Sequence, residues 1–136
     1  MKARLLLGAT LLTLAACQQG PPKVVQPPSP GSPALQEDLP APHGFDLKES
    51  QTNPNPTGAF RVIKQTLQGR NRKVDFVVGF YEETFPKHGW TLEKKAGDLK
   101  NGPATLAFLK KEERCDIEIK EETSNTVGIR LNVTKK

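Results

Sequence analysis

A chain of 136 residues, 35% hydrophobic and 26% charged, has the size of one domain with a single modest core. Its formal charge is +5, and without Lys2 and Arg4 near the start of the chain the 20 basic side chains become 18 against 15 acidic, a net +3. So mild an excess is not the basic footprint of a nucleic-acid binder and supports only weak attraction to anionic headgroups.

The chain opens with Lys2 and Arg4, continues as an apolar run from Leu5 to Ala16, and closes that run with Leu14-Ala15-Ala16-Cys17. The run is too short for a transmembrane helix, which needs roughly 20 apolar residues. Two small residues ahead of a cysteine leave room for a peptidase to approach the bond before Cys17, and the whole leader resembles that of bacterial lipoprotein precursors, with 14–17 as the lipobox. That resemblance implies diacylglyceryl transfer to the Cys17 sulfur and cleavage before it by signal peptidase II. Two or more acyl chains, at about 0.8 kcal/mol per buried methylene, anchor a protein stably where one chain is marginal. Residues 1–16 are thus read as signal peptide. Gln18 is not the aspartate that commonly retains such lipoproteins in the inner membrane, so an outer-membrane anchor is favoured where an outer membrane exists.

Residues 17–42 follow as the lipidated cysteine and a tether. Pro21, Pro22, Pro27, Pro28, Pro30, Pro33, Pro40 and Pro42 recur without a period of 2 or 3.6. Proline removes backbone donors and biases its predecessor toward extended conformations, which suits neither sheet nor helix. At about 3.1 Å per residue the segment spans up to roughly 75 Å, as a spacer or as a recognition segment for an aromatic-lined groove.

The domain is expected over 43–136. Phe45 to Lys48 alternates as a short strand, and turn formers follow from Asn53 to Gly58. A second strand is expected from Ala59 to about Leu67. There Phe60 and Val62 point one way while Ile63 and Leu67 point the other, which predicts burial on both faces or a bulge near Lys64. Val74, Val77, Val78, Tyr81 and Phe85 then fall at helical spacing, with Phe76 and Phe80 widening the stripe, Asn71 as N-cap and Asp75 in the first turn. Gly79 weakens such a helix by about 1 kcal/mol relative to Ala, which predicts close contact with a strand. Pro86 ends the helix, and Gly89 supplies the positive φ of its exit. Trp90 to Glu93 begins the next strand with Trp90 and Leu92 inward.

From there alternation is plain: Leu106 and Phe108; Cys115, Ile117 and Ile119; Val127, Ile129, Leu131 and Val133. Connections at 110–114 and 121–125 are short enough for hairpins. Asp116, Glu118, Lys120, Arg130 and Asn132 form the face toward water. The fold class is therefore α+β, a twisted antiparallel sheet of about five or six strands with one helix on one face, in the order β-β-α-β-β-β-β. Phe80-Tyr81 followed by Pro86, Gly89 and Trp90 resembles small bacterial lipoproteins of similar layout over roughly residues 42 to 134, and the resemblance implies no activity.

Chemistry is sparsely signalled. His43, His88 and Cys115 are far apart in the sequence, with no metal-ligand spacing, so no metal and no cofactor is expected. With Cys17 lipidated, Cys115 is the one remaining thiol and no internal disulfide forms. Its inward position in an alternating strand fits an inert small hydrophobe better than a nucleophile paired with His88. Glu82-Glu83, Glu112-Glu113 and Glu121-Glu122 read as solvated charge, and no residues are assigned as catalytic. Arg70, Arg72 and Lys73, at the positive end of the helix, are a candidate contact for an anion or a carboxylate-bearing partner. Two functions follow. The first is a non-catalytic binding or assembly module, tethered to the membrane and engaging another envelope protein or the cell wall but no nucleic acid. The alternative is a small ligand sensor or hydrolase with a pocket between helix and sheet.

Overall fold

The computed structural model describes residues 36–54, 58 and 60–136. Cys17, its leader and most of the proline-rich run lie outside the described residues. Strands β1 (Phe45–Pro54) and β2 (Arg61–Arg70) precede the helix α1 (Val74–Thr84), and β3 (Thr91–Gly97), β4 (Ala104–Lys110), β5 (Glu113–Thr123) and β6 (Thr126–Lys135) follow it. They form one six-stranded sheet in the order β1-β2-β6-β5-β4-β3, with every neighbouring pair antiparallel. The α+β class and the element order are those expected. Among the described residues no helix is long and apolar enough to cross a membrane.

α1 forms because its apolar residues share one face. Val74, Val77, Val78 and Tyr81 are buried, as is Phe85 in the 3-10 turn (Phe85–His88) that continues the helix. Gly89 ends that turn at φ +85°, where an L side chain is strained, and Trp90 enters the core at 2% exposure. Phe85 is the hub of the aromatic interior: its ring centroid lies 4.9 Å from Tyr81, 5.8 Å from Trp90 and 4.8 Å from Phe108. The sheet supplies the other layer through Ile63 and Leu67 on β2, Leu106 and Phe108 on β4, Cys115, Ile117 and Ile119 on β5, and the alternating apolar residues of β6.

Several local expectations are corrected. The N-cap is Lys73, in extended conformation and without a side-chain bond, because Asn71 is used one step earlier. Asn71 adopts φ +54° to turn the chain out of β2, and its N–H donates to the Asn125 carbonyl. Asp75 does serve the helix start, accepting the Phe76 N–H at 2.8 Å. Phe76 does not widen the buried stripe: it is 46% exposed, with the Arg72 guanidinium over its ring at 5.3 Å, while Phe80 packs half-buried against the core. Gly79 touches no strand, and a Cβ built there meets nothing within 4 Å.

β2 carries no bulge near Lys64. Ile63, Gln65, Leu67 and Gly69 are buried in strict alternation, and the β2–β6 register is unbroken from Ile63 to Arg70. The irregularities lie in β1 between Leu47 and Glu49, in β3 between Leu92 and Lys94, and near the end of β5 between Glu121 and Thr123. β1 and β3 are the two edges, so both combine a bulge with charged side chains, the combination that discourages pairing with a further strand. Gln65 is the residue that hid the alternation. It is 2% exposed, and among the described residues neither end of its amide has a hydrogen-bond partner, nor has the buried Tyr81 hydroxyl. Two such groups in an apolar interior each destabilise by about 1–3 kcal/mol when left unbonded.

Candidate functional site

Packing begins before His43, inside the segment read as tether. Leu39 is 1% exposed, Pro42 is buried, and Ala41 packs against the core. Burying Leu39 contributes about 2 kcal/mol. Residues 38–44 run as a strap from one end of the sheet, where β2 and β5 begin and β4 ends, to the other, where Phe45 pairs with Gly69. The Phe45 ring lies so close over Gly69 that a Cβ there would stand 2.6 Å from it, which makes glycine the residue that admits the ring.

At its first residue the strap is held by four charges. Arg61 directs Nε and Nη2 to the two oxygens of Glu113, at 2.9 and 2.7 Å, and its backbone N–H adds a third bond at 2.8 Å. The rest of the same guanidinium fork meets Asp38, with Nη1 on Oδ1 at 2.9 Å and Nη2 on Oδ2 at 2.8 Å. Lys110 Nζ reaches Asp38 Oδ2 at 2.8 Å and lies 5.5 Å from the centroid of the Trp90 ring. The Trp90 indole donates to the Asp38 carbonyl at 3.0 Å, so a buried N–H and a strap carbonyl satisfy one another. Two carboxylates and two cations balance within the cluster. The bond from Arg61 and the Lys110 ammonium hold the Asp38 carboxyl far below its usual range, although partial burial opposes them. Arg61 likewise holds Glu113 down, and the two carboxylates drive the Arg61 guanidinium further toward its charged form. Glu113 is a correction: expected as solvated turn charge, it is 8% exposed. Chemically the cluster is a receptor for one carboxylate and the carbonyl beside it, with an apolar slot for the next side chain. Its amine, Lys110 Nζ, and its two carboxylates are engaged in ion pairs with one another and with Arg61.

Arg70, Arg72 and Lys73 lie at the other end of β2, about 30 Å away at 3.3 Å per residue. They do not converge on one point. Arg70 is exposed and pairs with Thr126; Arg72 sits on Phe76, and its Nε donates to the His43 carbonyl at 3.4 Å. Lys73 lines a shallow hollow with Asp75, Lys100, Asn101 and Glu121. Two carboxylates there offset the two lysines, so the hollow is not selective for an anion. Cys115 faces the core between Phe108 and Val133, and burial pushes its thiol strongly toward the protonated form. His88 is half-buried in the 3-10 turn, and among the described residues no hydrogen bond joins it to Cys115. Among those residues no cluster of three or more His, Cys, Asp or Glu could hold a metal ion.

No family model, curated protein or solved structure matches this chain.

No short motif announces the Asp38 cluster, whose members are 23 to 75 residues apart in pairings with Asp38. The signal available was small: Asp38-Leu39 is an acidic–aliphatic pair set within proline-rich sequence.

Proposed function

We propose that the chain is a non-catalytic binding or assembly module of the cell envelope, held to a membrane by lipid on Cys17 and engaging another envelope protein or the cell wall. The observation that carries this reading is Leu14-Ala15-Ala16-Cys17 at the end of a charged-then-apolar leader, followed at once by a proline-rich run. The interior adds support. Val77, Tyr81, Phe85, Phe108 and Cys115 fill the space between α1 and the sheet, and the charges best placed for chemistry are engaged with one another. Gln18 favours placement in an outer membrane. Radiolabelled palmitate incorporation with membrane fractionation tests the anchor: the wild type labels and sediments with membranes, Cys17→Ala does neither, and persistent labelling of Cys17→Ala refutes it. A pull-down with the lipidated protein tests the module, and recovery of no envelope component counts against it.

A further inference from the structure

The strap is attached in an unusual way. Among the described residues, no bond between main-chain groups joins 36–44 to the sheet or to α1; the two such bonds within reach are local, Leu39 N–H to the Gln36 carbonyl and Phe45 N–H to the Pro42 carbonyl. Pro40 and Pro42 have no N–H to give. What holds the strap is side chains: Arg61 and Lys110 on Asp38, Trp90 on the Asp38 carbonyl, Leu39 in its slot, and Arg72 on the His43 carbonyl. A segment without a backbone ladder, ordered by side-chain contacts at Asp38 and His43 and by the packing of Leu39, Ala41 and Pro42, opens more readily than the paired strands beside it. Its receptor behaves differently. Arg61 is fixed by three bonds to Glu113 that do not involve the strap, and Lys110, Glu113 and Trp90 are set by β4, β5 and the 3-10 turn. When the strap leaves, the receptor remains formed and carries one uncompensated positive charge.

We propose that this slot is a peptide-binding site which the chain fills in cis with Asp38-Leu39, and that its external ligand is an extended segment presenting a carboxylate residue followed by an aliphatic one. The two cations select the carboxylate, the indole N–H selects the carbonyl of the same residue, and the Leu39 slot selects the neighbour. The strap acts as a built-in competitor. An external segment binds only the fraction of molecules whose strap is open, so its apparent affinity is lowered by that fraction. The inference deepens the reading of the domain as a binding module and is independent of the lipid.

The test uses the full chain in detergent micelles and, as probe, a capped peptide of residues 36–44. Asp38→Ser combined with Leu39→Ser frees the slot and should bind the peptide at least about tenfold more tightly than the wild type, followed by Trp90 fluorescence and calorimetry. Adding Lys110→Ala should abolish the gain, and a peptide with the counterpart of Asp38→Asn should bind no better to the freed slot than to the wild type. In the wild type, the Trp90 indole proton should exchange with little dependence on denaturant while the Ile117 amide exchanges only through global unfolding. The proposal is overturned by a folded double variant that does not bind the peptide at millimolar concentration, or by Trp90 indole exchange with the denaturant dependence of Ile117. The exchange result decides alone if the double variant does not fold. Loss of peptide binding strikes the slot and leaves the module reading to its own pull-down.

Discussion

Arg61→Ala probes the cluster that fastens the strap. It removes four side-chain bonds from two carboxylates and leaves Glu113, whose side chain is 10% exposed, with one backbone donor. Breaking a buried pair destabilises by about 3–5 kcal/mol; because the Arg61 side chain is 31% exposed, the lower figure, about 3 kcal/mol at neutral pH, is expected. The pH dependence separates charge from packing. In the wild type, Asp38 and Glu113 have folded-state pKa values below their unfolded ones, so their contribution is complete above about pH 4 to 5 and is lost as pH falls, for Asp38 to well below that range. In Arg61→Ala the unpaired Glu113 is displaced the other way, and protonation relieves it. The difference between the two proteins should therefore be largest near pH 7 and be smaller at pH 3, where the Glu113 part has gone and the Asp38 part persists. Urea midpoints at both pH values measure it. A difference that stays constant would refute the electrostatic account and assign the loss to the Arg61 stem. Arg61→Lys should recover only part of the stability, because an ammonium cannot form the fork.

Trp90→Ala should destabilise by about 3–5 kcal/mol in urea, since the indole is 2% exposed against Phe85 and bonded to the strap; an unchanged midpoint would place Trp90 outside the core. Cys115, with 0% exposure, should resist maleimide in the native state and react on unfolding, and labelling at the rate of a free thiol would put its sulfur in solvent. Gly79→Ala should raise stability by about 1 kcal/mol, because the position is helical, exposed and free of neighbours; a lower thermal midpoint would show that the helix surface is occupied there.

Strong periodicity carried the fold in the sequence. β5 and β6 alternate because each faces the core on one side and water on the other, β4 alternates through Leu106 and Phe108 although Ala107 between them is buried as well, and α1 shows its stripe because a single face is buried. Alternation in β1 stops at Lys48 while the strand runs on, because its outer half, Glu49 to Asn53, is polar edge strand, held by pairing with β2 rather than by burial. The pattern of β2 is obscured in the sequence because Gln65 occupies an inward position where periodicity expects an apolar residue. The four-charge cluster was out of reach. Its bonds join the proline-rich run to the ends of three strands, and a single aspartate among prolines carries no sign of a partner 72 residues away. Arg70, Arg72 and Lys73 show the converse, since adjacency in sequence did not bring their side chains to one point.

The sixth strand in chain order sits inside the sheet. β6 lies between β2 and β5, so Arg61–Arg70 has only β1 beside it until Thr126–Lys135 has been synthesised. The meander from β3 to β6 closes through short local turns, whereas Thr66 meets Arg130 across most of the domain's length. Non-local pairing of this kind forms late and slowly. A growing chain thus has no complete sheet to fold into until Thr126–Lys135 has emerged. β1 and β2 stay without their inner neighbour until then, during synthesis and during any transfer across a membrane that needs an unfolded polypeptide, and a chain that stops before Thr126 lacks the centre of its sheet rather than a margin.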